Sequence, residues 1–81
     1  MYTRKDFGRE LKAKALMRQD VAEIGHWAYS MYLEHIEDID DDFMDIIITL
    51  NTMEDGPEFA FTHEELNQIA DDLIAGKDVN I

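Results

Sequence analysis

Three carboxylates at alternate positions give the clearest hint of metal chemistry in this sequence. Asp38, Asp40 and Asp42 have the spacing of the first, third and fifth ligands in a calcium-binding loop. Such a loop also needs glycine at its sixth position, for a sharp turn, and a bidentate glutamate at its twelfth. Phe43 and Thr49 occupy those two positions. We therefore expect no dedicated calcium site in this segment.

A second pattern of possible ligands lies further towards the N-terminus. Glu23 precedes His26 by three residues, the spacing that presents two ligands on one helix face in carboxylate-bridged di-iron bundles. Those centres need two such pairs and two further glutamates, and the chain has one copy of the pair. Glu23 is better explained as a helix-capping residue. The remaining histidines, His35 and His63, belong to no recognisable ligand set, so we expect neither a metal nor a cofactor.

Nucleophilic catalysis lacks its usual residues. The chain has no cysteine, which excludes a thiolate nucleophile, a disulfide and a thiolate metal site. Ser30 would need a neighbouring base held by a third group, and the sequence marks no such arrangement. There is no glycine-rich phosphate-binding loop either. We expect a protein that is not an enzyme and that works by binding a partner.

The distribution of charge is the most informative feature of the composition. The 81 residues carry a net charge of −12. Residues 1–19 hold six Lys or Arg against two Asp or Glu, a net charge of +4, whereas residues 20–81 hold seventeen Asp or Glu against Lys77, a net charge of −16. We interpret this as a basic first helix beside acidic neighbours. A basic nucleic-acid-binding arm is disfavoured because the acidic remainder would repel phosphate.

An acidic cluster spans the end of the second predicted helix, the connection and the start of the third. The cluster comprises Glu34, Glu37, Asp38, Asp40, Asp41, Asp42 and Asp45. Carboxylates at the start of a helix interact favourably with its dipole, whereas those at the end of a helix do not. The sequence thus accepts an electrostatic cost to concentrate charge here. We favour a partner-binding surface over a merely solvated face.

Further candidate contact residues lie outside this cluster. Glu54, Asp55 and Glu58 form a second acidic patch. Tyr29 and Tyr32 are candidate anchors, because aromatic side chains often carry the binding energy of interfaces. The two tyrosines cannot both share the inner face of their helix, so at least one should reach the surface. Trp27, in contrast, is assigned to the core.

The first and last helices are predicted from their capping residues. The first runs from about Arg4 to Met17 and begins after Thr3. The last begins after Thr62, with Glu65 completing a capping box, and ends at Gly76. The apolar stripe of the first helix comprises Phe7, Leu11 and Ala15, and that of the last comprises Leu66, Ile69, Ala70, Leu73 and Ile74.

The second and third helices carry most of the apolar residues. A capping box of Asp20 with Glu23 predicts the start of the second helix, and the third runs from about Asp42 to Met53. The apolar positions of the second helix are Val21, Ile24, Ala28 and Met31, widened by Trp27, Tyr32 and Ile36, and those of the third are Phe43, Ile46, Ile47 and Leu50. The β-branched run from Ile46 to Thr49 also suits a buried strand, but the helical spacing favours a helix. Gly25 costs about 1 kcal/mol in a helix, so we expect a close neighbour there.

These elements predict an all-α protein with a small four-helix bundle, in which residues 1–81 form a single domain. Between the third and fourth helices, a turn at Gly56 and Pro57 should lead into a short extended segment that packs Phe59 and Phe61 inward. The chain shows neither a signal peptide nor an apolar run long enough to span a bilayer. We therefore expect a cytoplasmic protein without a membrane partner.

In size, acidity and helical organisation the chain resembles bacterial immunity proteins that neutralise nuclease colicins or toxins of contact-dependent growth inhibition. The resemblance implies that an acidic surface binds a basic cognate toxin domain and imitates the phosphate backbone, without direct contact to nucleic acid. A nucleic-acid mimic aimed at a DNA-binding protein would share these features. The alternative is a helical interaction or regulatory module, including a homodimer in which the basic first helix meets acidic helices of the second copy.

Overall fold

Four α-helices account for most of the chain in the computed structural model, which describes residues 1–79 and 81. They are α1 (Arg4–Leu16), α2 (Val21–Glu34), α3 (Asp41–Asn51) and α4 (His63–Ala75), and short 3-10 turns lie at Ile36–Asp38, Thr52–Glu54 and Pro57–Phe59. Within these residues there is no β-strand. The all-α prediction is confirmed, and the Ile46–Thr49 segment is helical.

Side-chain caps fix the ends of the first and last helices. The Thr3 side chain accepts from the Asp6 N–H while the Asp6 side chain accepts from the Thr3 N–H, so α1 begins with a full capping box. Thr62 and Glu65 form the predicted box at the start of α4. Gly76 ends α4 in the left-handed conformation (φ 76°), as expected of a glycine that stops a helix.

The capping box predicted for α2 is wrong. Asp20 does stand at the N-cap position, but its side chain makes no capping hydrogen bond. Its backbone (φ −55°, ψ 129°) departs from the extended conformation that Thr3, Asp40 and Thr62 adopt at the other three helix starts. The first turn of α2 is therefore held by tertiary packing of its apolar face rather than by a cap.

One hydrophobic core joins all four helices. α1 packs chiefly on α4, and α2 packs chiefly on α3. The buried apolar side chains are Phe7, Leu11, Ala15, Ile24, Ala28, Phe43, Ile46, Ile47, Leu50, Met53, Leu66, Ile69, Ala70 and Leu73. The predicted apolar positions of α1, α3 and α4 are thus confirmed, except that Ile74 is only partly buried. Trp27 and Tyr32 pack on the core from its margin.

An aromatic cluster around the buried Phe7 connects α1 to α2 and α3. The Phe7 ring stacks on the Trp27 ring with a centroid separation of 4.7 Å and meets the Phe43 ring edge-on at 5.5 Å. Aromatic pairs in these geometries contribute roughly 0.5–1.5 kcal/mol beyond the burial of their area. Since Phe7 has no exposed surface, its position fixes where α1 lies against the α2–α3 pair.

Two predictions about apolar side chains fail at the 3-10 turns. Ile36, which we expected on the inner face of α2, lies exposed in the turn that follows that helix. Phe59, which we expected to pack inward, is exposed in the Pro57–Phe59 turn. Phe61 does pack against the core. These turns leave only Ala60 to Thr62 extended before α4 begins.

The described residues include no helix that is both long and apolar enough to cross a membrane.

The glycine in α2 allows a close approach between α2 and α3. A Cβ built on Gly25 would lie 2.8 Å from the Leu50 carbonyl oxygen and 3.5 Å from the Asn51 Cα. Asn51 Nδ2 donates a hydrogen bond to the Gly25 carbonyl at 3.2 Å. The expectation of a close neighbour at Gly25 is confirmed. Because the first half of α2 meets the end of α3 here, and the end of α2 leads directly into the start of α3, the two helices are antiparallel.

We predict that Gly25→Ala destabilises the protein by about 1–3 kcal/mol, because the new methyl group meets a backbone carbonyl that cannot move aside. Helix propensity alone predicts a gain of about 1 kcal/mol for the same change. Ala13→Gly, at an exposed position of α1, is the control and should cost about 1 kcal/mol. Urea denaturation measures both. A Gly25→Ala protein more stable than the parent would contradict the close approach.

Candidate interaction surface

All seven residues of the acidic cluster are exposed at the end of the bundle where α2 leads into α3. Two of them are held by the N-terminal segment. Asp38 Oδ2 accepts from the Tyr2 N–H at 3.2 Å, and Asp40 Oδ1 accepts from Arg4 Nη2 at 3.2 Å. The start of α1 therefore lies against the middle of the cluster.

Asp40 has a structural role that the sequence pattern did not single out. Its side chain caps α3 by accepting from the Phe43 N–H at 2.8 Å. This backbone hydrogen bond, followed by the Arg4 guanidinium, holds the pKa of the Asp40 carboxyl below its ordinary value of 3.8. Asp40 thus serves the fold first, and its replacement would perturb α3 as well as any interface.

Tyr2 closes the side of the cluster next to α1. Its ring stacks on His35 with a centroid separation of 4.0 Å, and its hydroxyl donates to the Glu10 carboxylate. Burial, and next the hydrogen bond to Glu10, raise the pKa of the Tyr2 phenol above its ordinary value of 10.0. The phenol therefore stays protonated and keeps its donor role throughout the physiological range.

The other carboxylates of the cluster face solvent with little engagement. In the described part of the chain, Glu37, Asp41, Asp42 and Asp45 have no side-chain hydrogen bond or ion pair. Glu34 lies 3.9 Å from His35 Nε2, at the edge of ion-pair distance. These charges are available to an external partner, because neither capping nor internal pairing uses them.

Several basic side chains of α1 and of the residues just after it are directed away from the cluster. Arg18, two residues past α1, pairs with Glu64 at 3.3 Å, and Lys12 pairs with Asp71, and both carboxylates are on α4. Lys14 lies over the Trp27 ring, 5.0 Å from its centroid. The prediction of a basic helix beside acidic neighbours is confirmed. Apart from Arg4 at Asp40, these described contacts do not neutralise the acidic cluster.

The second acidic patch is separate from the cluster. Glu54 follows α3, whereas the cluster surrounds its start, and eleven residues of helix separate the two ends by about 16 Å. Glu54 is also engaged internally, since its carboxylate accepts from Asn51 Nδ2 at 2.7 Å and lies 3.1 Å from His26 Nδ1. Asp55 and Glu58 are exposed. The structure therefore does not bring the two acidic regions together.

The two tyrosines lie side by side on α2, with ring centroids 6.0 Å apart. Tyr29 is 40% exposed and Tyr32 packs partly against the core, which confirms that at least one of them reaches the surface. Tyr29 begins a row that the sequence pattern did not reveal. Leu33 and Ile36 follow at the fourth and seventh positions and are 56% and 53% exposed. We call Tyr29, Leu33 and Ile36 the outer stripe.

Other potential sites offer little chemistry. Arg4, Asp42, Asp45 and Asp78 line an open groove between the start of α3 and the C-terminal residues. Among residues 1–79 and 81, no three His, Asp or Glu side chains are grouped as metal ligands. Ser30 Oγ donates to the His26 carbonyl at 3.1 Å, so its described hydrogen bond goes to the backbone of its own helix and not to a base.

The pH dependence of stability should reveal the capping role of Asp40. A carboxyl whose pKa falls on folding stabilises the folded state above its unfolded-state pKa and loses this contribution as the pH falls through its folded-state pKa. We predict that Asp40→Asn shows a smaller loss of unfolding free energy than the parent between about pH 5 and pH 2. Urea denaturation followed by Trp27 fluorescence measures this. Asp41→Asn, which removes the same charge next to the cap, is the control, and equal acid dependence of the two variants would contradict the assignment.

Comparison of the chain with protein-family models, with curated proteins and with solved structures found no match. The features available for a functional inference are thus those of the molecule itself. They are the exposed acidic cluster, the displaced positive charge of α1 and the outer stripe of α2.

Proposed function

We propose that this protein is an inhibitor of the immunity-protein type, which binds a basic toxin domain through the acidic cluster. The observation that carries the proposal is the set of exposed carboxylates without internal partners, Glu37, Asp41, Asp42 and Asp45, grouped around the start of α3. A nuclease domain that binds nucleic acid presents Lys and Arg side chains to phosphates. An array of fixed carboxylates can occupy those same side chains and so block the substrate.

The charge distribution suits a fast inhibitor. Oppositely charged surfaces steer diffusional encounter and can raise association rate constants to about 10⁸–10⁹ M⁻¹s⁻¹ at low salt. Lys12 and Arg18 pair with α4 and Lys14 lies over Trp27, while Arg4 is the cation that pairs with a described carboxylate of the cluster. An approaching basic surface therefore meets a predominantly negative field at the α2–α3 end. An antidote that must act before its target reaches nucleic acid benefits from such a rate.

Binding, rather than catalysis, is also what the side chains support. The serine of α2 is bonded to its own helix backbone, and the acidic groove at the start of α3 contains a single basic residue, Arg4, in its described lining. In this proposal the protein acts in the cytoplasm, where a nuclease toxin would reach its substrate, and it needs no cofactor.

The proposal is tested by affinity capture from a lysate of the source cell at about 50 mM and about 300 mM salt, followed by mass spectrometry and a nuclease assay. We expect a basic protein that is retained at low salt and lost at high salt, and whose nuclease activity disappears when the two proteins are mixed in equal amounts. An acidic or neutral partner, or retention that is insensitive to salt, would refute the proposal. Recovery of the protein alone would favour self-association.

We predict that the double variant Glu37→Lys/Asp45→Lys binds the captured toxin with an association rate constant at least about tenfold lower at low salt, because both reversals oppose steering. Its fold should be retained, since neither carboxylate has a described internal partner. Surface plasmon resonance at several salt concentrations gives the rates.

The matched control for these reversals is Asp20→Lys/Glu23→Lys. It makes the same change in net charge at two exposed positions at the start of α2, the end of that helix away from the acidic cluster. If net charge alone governs binding, the two double variants will slow association equally, and the acidic cluster will have no special role. A larger effect of Glu37→Lys/Asp45→Lys assigns the interface to the α2–α3 end.

A further inference from the structure

The outer stripe is a row of exposed apolar side chains at the end of α2 and in the turn after it. Tyr29 and Leu33 lie one turn apart on the same side of α2, and Ile36 is exposed in the Ile36–Asp38 turn that follows the helix. At 1.5 Å per residue the row extends about 10 Å, or two helical turns. A single exposed leucine needs no explanation, but three large apolar side chains in line suggest an interaction surface.

Ile48 extends this surface from α2 onto the neighbouring helix, α3. Gly25 of α2 contacts Leu50 and Asn51 of α3. Tyr29 lies four residues after Gly25, and Ile48 lies three residues before Asn51. Because the helices are antiparallel, Tyr29 and Ile48 lie at the same height along the helix pair. Ile48 is 44% exposed. The apolar surface therefore covers the outer seam between α2 and α3.

Carboxylates lie next to this surface. Glu34 follows Leu33 in α2, Glu37 follows Ile36 in the Ile36–Asp38 turn, and Asp41 lies two turns before Ile48 on the same face of α3. Lys14, the described basic neighbour of α2, sits over Trp27, which is on the opposite side of α2 from Tyr29. An apolar centre with a charged rim is the usual anatomy of a protein interface.

We propose that the outer stripe and Ile48 form the binding surface for an amphipathic helix of the basic partner. That helix would have apolar residues at three- and four-residue spacing, bordered by Lys or Arg. This rests on the proposed function and specifies the element of the toxin that is recognised. An exposed apolar row about two turns long complements a second helix packed alongside it at about 8–10 Å. The bordering cations would then face Glu34, Glu37 and Asp41.

A second copy of this chain is a poorer occupant. The apolar side chains of α1, its basic helix, are buried, as Phe7, Leu11 and Ala15 show. On the exposed side of α1, large apolar side chains occur only at Leu16 and Met17, at or just past its end. The described helices therefore provide no basic helix with a two-turn apolar row, whereas charge complementarity calls for one.

The probes for this proposal are two synthetic peptides made of the same leucine, lysine and alanine residues. In one peptide the leucines form a single helical stripe, and in the other they are distributed around the helix. Each is titrated at about 150 mM salt into the full chain, and backbone amide shifts are followed by NMR. We expect the striped peptide to bind at least about tenfold more tightly, with its largest shifts at the outer stripe and Ile48.

The variant Leu33→Ser/Ile36→Ser should weaken binding of the striped peptide at least about tenfold, because it removes the apolar contacts. It should leave the permuted peptide unaffected. Leu16→Ser/Met17→Ser makes a comparable change at the exposed end of α1 and should have no effect. Circular dichroism and urea denaturation confirm that both variants fold as the parent does.

Two results would overturn this inference, and each is distinct from failure of the proposed function. Equal affinities for the two peptides, both reduced by Glu37→Lys/Asp45→Lys, would leave the acidic cluster as a binding surface and remove the outer stripe from it. A dimer in sedimentation equilibrium that Leu33→Ser/Ile36→Ser converts to a monomer would assign the stripe to self-association. Loss of the toxin complex itself is measured separately by the capture experiment.

Discussion

The buried Phe7 ring holds three helices in place, because it stacks on Trp27 of α2 and meets the edge of Phe43 of α3 while belonging to α1. On its other side α1 lies close to α4, where a Cβ on Gly8 would come within 3.0 Å of the Ala70 carbonyl oxygen. The position of α1 is therefore fixed by packing on both sides. Because α1 carries most of the basic residues, the same packing decides where the positive charge of the molecule is placed.

The ion pairs of α1 matter more for the electrostatic field than for stability. Exposed pairs such as Arg18 with Glu64 contribute little to stability, because solvent screens both charges; the aromatic contacts of the buried Phe7 contribute more. The ion pairs do fix cations against α4 and leave most of the acidic cluster unneutralised. At physiological salt these charges act over only about 8 Å. They therefore affect affinity only once the partner is close to the surface.

The carboxylates of the acidic cluster differ in whether the fold uses them. Asp40 caps α3 and binds Arg4, and Asp38 receives the Tyr2 N–H, so the middle of the cluster is tied to the fold. Glu37 and Asp45 lie on either side of these and have no described partner. The fold thus anchors the centre of a negative surface while its margins remain free to bind. The outer stripe adjoins one of these margins, which joins charge and apolar area in one surface.

Much of the fold follows from the sequence because α1, α3 and α4 each have a single apolar face, which must be the buried one. Their apolar residues occupy single stripes, and these are buried. α2 is apolar around most of its circumference, so periodicity cannot tell which residues its neighbours will cover. Periodicity therefore does not single out Leu33, and it wrongly places Ile36 on the inner face. The 3-10 turn after α2 also rotates Ile36 away from the inner face, and no local signal predicts that rotation.

Hydrogen–deuterium exchange on the complex with the captured basic partner locates the contact surface without any substitution. We expect added protection on the second half of α2, the Ile36–Asp38 turn and the first half of α3. Protection confined to α1 and α4, with α2 and α3 exchanging as in the free protein, would contradict an interface built on the acidic cluster.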